Sequence, residues 1–196
     1  DEHGQKVQEA ARKRGISPQQ HCDEMVLRYR ELWSALSISH DDFVRTTEER
    51  HKRVVRAILT SLYQKGDIYK TSYEGWYCVP DERFWTEKDL DNHRCPECGR
   101  DVQQIRESNY FFRMGSYREW LIRYIEEHPD FILPRTRRNE MLGFLRQPLT
   151  DLCISRPRQR LSWGIPIPFD EDYVTYVWFD ALINYVSTAG YLTRDE

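Results

Sequence analysis

The sequence predicts an α/β protein interrupted by a small β-rich insert, and three observations carry that prediction. Apolar residues recur at helical spacing through the first third of the chain. From Ile68 the texture changes to β-prone pieces rich in Tyr and Trp, gathered around a Cys95-Pro96-Glu97-Cys98 turn. The run from Val174 to Tyr185 then reads as a buried strand passing straight into a helix that carries aromatic side chains.

In chain order, Gln5 to Arg14 has a short helical pattern that Gly15 stops, and Ser17-Pro18 starts a second helix with Ser as N-cap and Pro in the first turn. Met25, Val26, Tyr29, Leu32, Trp33 and Leu36 recur along this helix and predict an apolar face against a core. A third helix opens at Thr47, presents Val54, Val55, Ile58, Leu59 and Leu62, and stops at Gly66. Short β pieces follow from Ile68-Tyr69 through Tyr77, then the cysteine turn, then a strand-like run ending at Asn109-Tyr110-Phe111-Phe112-Arg113. Ser116 is expected to cap a helix from Tyr117 to His128, Pro129 ends it, and Asn139 to Arg146 forms a shorter one. Ile154-Ser155-Arg156 and the turn from Trp163 to Pro168 lead into the final strand and helix. The expected division is therefore 1–67, an insert at 68–138, and 139–196.

With 196 residues the chain is long enough for a proper core, and a net charge of −3 with 31% charged residues sets up no general pull toward a polyanion. Local arginine clusters at Arg135, Arg137 and Arg138, and at Arg156, Arg158 and Arg160, read as solvated surface or as local polyanion contacts. No apolar run approaches the ~20 residues that cross a bilayer and no signal-peptide pattern opens the chain, so a cytoplasmic location without membrane contact is the default. Five cysteines, an odd and unevenly spaced set, suit reduced thiols or a metal better than a disulfide framework. Asp1-Glu2-His3-Gly4, with no initiator Met, reads as the middle of a motif and predicts that the chain is a segment of something longer.

Two places invite chemistry. Ligands of open parallel sheets bind beyond the carboxyl ends of strands, which makes Trp178, at the end of the expected strand, a candidate pocket wall; Asp180 is the expected N-cap of the helix behind it. The alternative is a strand and helix packed through ordinary core aromatics. The turn Cys95 to Gly99 lets two thiolates reach one Zn²⁺. Its partner site, Cys78-Val79-Pro80-Asp81, has Asp81 where a second cysteine would stand, so Cys78, Asp81, Cys95 and Cys98 form a candidate structural zinc site. His93 is a rival fourth ligand, and three free thiols are the alternative; Cys22 and Cys153 read as small buried hydrophobes.

Taken together, Asp1-Glu2-His3-Gly4, the knuckle, Asn109-Tyr110-Phe111-Phe112, Ile154-Ser155-Arg156, Trp163-Gly164-Ile165-Pro166 and Val177-Trp178-Phe179-Asp180-Ala181 resemble, in that order, the methionyl-tRNA synthetases. The resemblance covers essentially the whole chain. It implies part of a class I synthetase Rossmann-type nucleotide-binding fold, with the inserted connective peptide domain between its halves. The implied activity is formation of methionyl-adenylate from L-methionine and ATP, with Mg²⁺, and transfer of the methionyl group to tRNA(Met). By the same resemblance Trp178, Ala181, Leu182 and Tyr185 line the thioether side chain, and Asp1 and Arg156 form a charged pair at the amino acid's polar end. The residue types suit this: a thioether gains roughly 0.3–1.5 kcal/mol against an aromatic ring. Asp1 can take the ammonium, and Arg156 can orient Asp1 or stabilise developing negative charge.

The family's His-x-Gly-His signature is expected before Asp1 and its Lys-Met-Ser-Lys-Ser loop after Glu196, so the segment alone is expected to be unable to make adenylate. Asp81 departs from the zinc-bearing members. Two other functions are weighed: another class I synthetase, against which the short insert argues, and a non-catalytic, zinc-dependent module that binds the tRNA acceptor end.

Overall fold

The computed structural model describes residues 1–81 and 83–192. Helix α1 (Gln5–Arg14) ends where Gly15 turns to φ 68° and its N–H caps Ala11 and Arg12 carbonyls, a left-handed geometry that favours glycine. Helix α2 (Pro18–Ala35) starts with the Ser17 hydroxyl accepting from the Gln20 N–H at 3.1 Å. Helix α3 (Glu49–Gln64) opens at Glu49, with Glu48 as N-cap, and buries His51, Val54, Val55 and Leu59.

The apolar face expected of α2 is not packed on this core. Of that face Met25, Val26 and Trp33 are half-buried while Tyr29, Leu32 and Leu36 are exposed, and Cys22 is the one fully buried residue of the helix. Periodicity establishes that a helix has an apolar face, but not that the same stretch of chain covers it.

The β pieces predicted after Gly66 are one strand, β1 (Ile68–Cys78). Strand β2 (Arg83–Trp85) pairs with its end, and β3 (Gln103–Phe112) runs antiparallel along it from Ile68↔Phe112 to Tyr77↔Gln103. A long partner strand keeps β1 continuous where local composition suggests breaks. Helix α4 (Arg118–Glu127) follows a 3₁₀ turn at Met114–Tyr117, so it begins just after the expected Tyr117. Helix α5 (Arg135–Leu145) starts at Arg135 rather than Asn139, and the division expected between residues 138 and 139 falls inside it. Its first residues are polar, and apolar periodicity cannot announce a polar first turn. Ile125, Leu142 and Leu145 join the two helices in a small core of their own.

Strand β4 (Leu152–Cys153) closes the first sheet in the order β2-β1-β3-β4. Strands β5 (Ser155–Pro157), β6 (Pro166–Ile167) and β7 (Asp170–Thr175) form a second sheet in the order β5-β7-β6. Between β5 and β6, a Cβ on Gly164 would stand 3.0 Å from Val174 Cβ, which explains glycine beside Trp163. Every strand pair among the described residues is antiparallel.

Helix α6 (Val177–Thr188) follows β7 after Tyr176, its N-cap. Two expectations are corrected here. Trp178 lies in the first turn of α6, not at the end of a strand in a parallel sheet, and Asp180 is inside the helix rather than its cap. The reason is that Tyr176 already supplies the extended cap conformation at φ −66°, ψ 135°. The main core joins Val54, Val55 and Leu59 of α3 to Ile68, Tyr110, Ile154, Ile165, Tyr173 and Ile183, so α3 and α6 share one interior with both sheets. Among the described residues no helix is long and apolar enough to cross a membrane.

Candidate functional site

Motifs far apart in sequence meet around the first four residues. The Glu2 N–H donates to Thr46 Oγ1 at 3.0 Å, and the Glu2 carboxylate accepts from Arg45 Nε at 2.7 Å and from the Thr47 hydroxyl. Trp163 Nε1 donates to the Glu2 carbonyl at 2.6 Å, and the Gly4 N–H donates to the Trp163 carbonyl at 3.3 Å. This segment is therefore stapled to the α2–α3 connection and to the turn before β6. Asp1 itself is exposed and, with Met25, Tyr29, Phe43, Asn184 and Thr188, lines a cavity of about 620 Å³.

Helix α6 reaches that cavity through Asn184 and Thr188, whereas Trp178, Ala181, Leu182 and Tyr185 are not among the residues that line it; the other side chains of the helix fall on two faces. Val177, Asp180, Ile183 and Ser187 are buried. Trp178, Leu182 and Tyr185 stand out with 53%, 60% and 74% of their surface exposed, and Ala181 is half-buried beside them. Large apolar side chains at that exposure, on one stripe of an otherwise packed helix, are what an apolar binding wall requires.

The buried face is polar at its centre. Asp180 Oδ2 lies 2.5 Å from His3 Nδ1, Asp180 Oδ1 lies 2.7 Å from His51 Nε2, and His51 Nδ1 lies 3.0 Å from Ser187 Oγ. Burial would raise the Asp180 pKa, but the hydrogen bonds from His3 and His51 outweigh it and hold the carboxyl below its usual range. An ionised carboxylate only accepts, so both imidazoles donate to it.

Arg156 is placed by the meeting of two other motifs. The Tyr110 N–H donates to Ser155 Oγ at 2.8 Å and the Ser155 hydroxyl donates to Asn109 Oδ1 at 3.1 Å, which lays β5 against β3. The Arg156 side chain is then enclosed, the residue being 2% exposed. Its Nη1 donates to the Ser155 carbonyl at 2.7 Å and to Cys153 Sγ at 3.2 Å. The guanidinium lies 4.1 Å from the Tyr176 ring centre, 5.2 Å from Phe84 and 5.4 Å from Tyr77, and its Nε has no hydrogen-bond partner.

The expected pairing of Arg156 with Asp1 is not made, and among the described residues no carboxylate forms an ion pair with this arginine. Aromatic faces from the insert and from the approach to α6 surround the cation instead. Burial alone would lower the Arg156 pKa; the facing Cys153, Tyr77 and Tyr176 groups turn the balance upward, so the side chain stays cationic. The rest of the cluster diverges: Arg160 pairs with Glu107 at 2.8 Å, and Arg158 caps the Glu171 carbonyl. On α5, Arg137 pairs with Glu140 and Arg138 reaches the Ile125 carbonyl.

The structure brings Cys78, Asp81, Cys95 and Cys98 together, with one candidate ligand atom from each within 4.8 Å of all the others. Asp81 Oδ2 accepts from Cys78 Sγ at 3.1 Å and Cys95 Sγ at 3.0 Å, and the Cys78 and Cys98 sulfurs are 3.5 Å apart. Sulfurs around a tetrahedral zinc at ~2.3 Å would stand about 3.8 Å apart, so the donor set fits this metal. Burial, then the neighbouring Asp81, push the Cys78 thiol up, while hydrogen bonds from Cys95, Cys98 and Cys78 hold Asp81 down at about 2. Gly99 turns to φ 68° and its N–H closes the knuckle on the Cys95 carbonyl at 2.9 Å. His93 stays outside, exposed and 6.5 Å from the Trp76 ring.

The His3–Asp180–His51 network and the aromatic cage of Arg156 lie outside the contacts that the sequence pointed to. A signal for the first existed: Asp180 interrupts a helix face otherwise formed by Val177 and Ile183. Tyr77 and Phe84 had none, because only the return of β2 along β1 brings them to Arg156.

An α/β chain with a knuckle-bearing insert, an apolar helix wall and a buried cation between them has the parts of a class I aminoacyl-tRNA synthetase. The family model described as tRNA synthetases class I (M) matches residues 1–108 and 101–196, and the chain belongs to that family. It is similar to methionine–tRNA ligases: 50% identical over 196 residues to that of Caldanaerobacter subterraneus and 54% over 192 residues to that of Clostridium perfringens. These matches cover 100% and 97% of the chain but 30% of each relative's length, so the chain is a segment of what such proteins contain. A solved Mycobacterium tuberculosis methionyl-tRNA synthetase in complex with methionyl-adenylate superposes with a TM-score of 0.89 at 38% identity, covering 100% of this chain and 39% of that one.

Proposed function

We propose that the full-length protein containing this segment is a cytoplasmic methionine–tRNA ligase that activates L-methionine with ATP and Mg²⁺ and charges tRNA(Met). The observation that carries the reading is the whole-chain similarity to a synthetase bound to methionyl-adenylate. The geometry supports it: Trp178, Leu182 and Tyr185, with Ala181, offer an apolar, partly aromatic wall suited to a thioether. Asp1, on the cavity that also reaches Asn184 and Thr188 of α6, is proposed to receive the ammonium. Arg156, buried with no ion-paired carboxylate among the described residues and with its Nε lacking a hydrogen-bond partner, is proposed to act on the negative charge that develops when carboxylate attacks phosphate.

Zinc is proposed as a structural ion on Cys78, Asp81, Cys95 and Cys98. When bound, it would tie the end of β1 to the knuckle and contribute folding free energy to the insert. Exposed Trp120, stacked on half-buried Tyr124 with ring centres 5.3 Å apart, supports contact between this side of the chain and tRNA bases. The test is ATP–pyrophosphate exchange by the full-length protein offered each amino acid in turn. Exchange with methionine alone supports the reading; preference for another amino acid ends it.

A further inference from the structure

Asp180 connects three parts of the chain with one carboxylate. Through Oδ2 it holds His3, two residues from Asp1; through Oδ1 it holds His51 of α3; and its own backbone lies between Trp178 and Ala181 of α6. All three side chains are buried, and the His3 ring packs against Trp163, with ring centres 5.3 Å apart. Stability alone does not call for such a cluster. Buried ion networks are often replaceable by apolar residues at no loss of stability, whereas their directionality fixes one register. An apolar residue at 180 would allow α6 to rotate or slide against α3; two short hydrogen bonds at opposed carboxylate oxygens do not.

We infer that Asp180 is a positioning residue that, through His3 and His51, fixes the span between the ammonium anchor Asp1 and the side-chain wall on α6, and so sets the length of amino acid accepted. The inference rests on the methionine–tRNA ligase reading. It adds that one carboxylate, touching no substrate, controls both ends of the amino-acid site. A well-shaped apolar pocket discriminates roughly 10- to 200-fold per methylene, and that figure depends on a fixed span.

The test uses the full-length protein and three amino acids in ATP–pyrophosphate exchange: methionine, S-methylcysteine with one methylene fewer, and ethionine with one more. Asp180→Asn places an amide N–H against one imidazole N–H and breaks an arm. The KM for methionine is expected to rise roughly tenfold, discrimination against the two homologues to fall about fivefold or more, and the KM for ATP to stay within about twofold. His3→Phe should reproduce the loss of discrimination, and His3→Asn, whose amide N–H stands where Nδ1 donates, should restore much of it. If Asp180→Asn does not fold, the two His3 variants carry the comparison. Folded variants with unchanged discrimination, or with equal rises in both KM values, would overturn the inference. A wild-type protein with no methionine-dependent exchange would instead overturn the reading beneath it.

Discussion

Asp180 Oδ2 sits 2.5 Å from Nδ1 of His3 across 177 positions of sequence, and this contact brings the chain's first residues to the inner face of α6. The outer face of the same helix carries Trp178, Leu182 and Tyr185. A fixed inner face and an exposed apolar outer face are what distinguish a binding wall from a core helix.

The Asp180 contact makes stability depend on pH in a defined direction. Its carboxyl is held below the unfolded value of about 3.9, so its contribution is fully present above that value and is lost as pH falls through the lower folded one. The difference in unfolding free energy between wild type and Asp180→Asn should shrink as pH falls below about 4, read by denaturant titration. A difference that grows below about pH 4 would contradict the assignment.

Helices α2 and α3 should respond very differently to truncation. Leu59→Ala, in the main core, should cost about 2–5 kcal/mol in this 196-residue chain, whereas Leu32→Ala, on the exposed face of α2, should cost less than about 0.5 kcal/mol. Comparable losses would mean that α2 packs on the same core as α3.

The cysteine cluster predicts a response to metal. Zinc at roughly 1,000 times its dissociation constant should add about 4 kcal/mol to unfolding, seen as a higher Tm that a chelator reverses. Asp81→Ala should weaken zinc binding by about tenfold or more in a competition titration, and Asp81→Cys should not. A Tm indifferent to zinc and chelator would remove the metal from the account.

Arg156 should matter for catalysis more than for folding. In the full-length protein Arg156→Ala is expected to lower the rate of adenylate formation by about 100-fold with circular dichroism unchanged, and Lys at this position should not restore it, because the cage fits a planar cation. Loss of the folded state would mark the arginine as a packing element.

What the sequence disclosed followed physical range. Caps and stops were legible because they are local: Ser17 and Pro18 start α2, and Gly15 and Gly66 end α1 and α3 at positive φ. The grouping of Cys78, Asp81, Cys95 and Cys98 was legible because two short turns carry all four side chains. What failed depended on partners elsewhere. The exposed face of α2 looked like core, polar Arg135 hid the start of α5, and Asp180 looked like a cap because its imidazole partners lie 129 and 177 positions away. The Asp1–Arg156 pair is implied by the resemblance alone, and the cage of Tyr77, Phe84 and Tyr176 stands where it places a carboxylate.

The measurement closest to the central claim is the pair of KM values for methionine and ATP in Trp178→Ala of the full-length protein. If the outer face of α6 is the side-chain wall, the methionine KM should rise about tenfold or more while the ATP KM stays within about twofold. Equal rises in both would show that Trp178 supports the fold of the site as a whole and that the wall lies elsewhere.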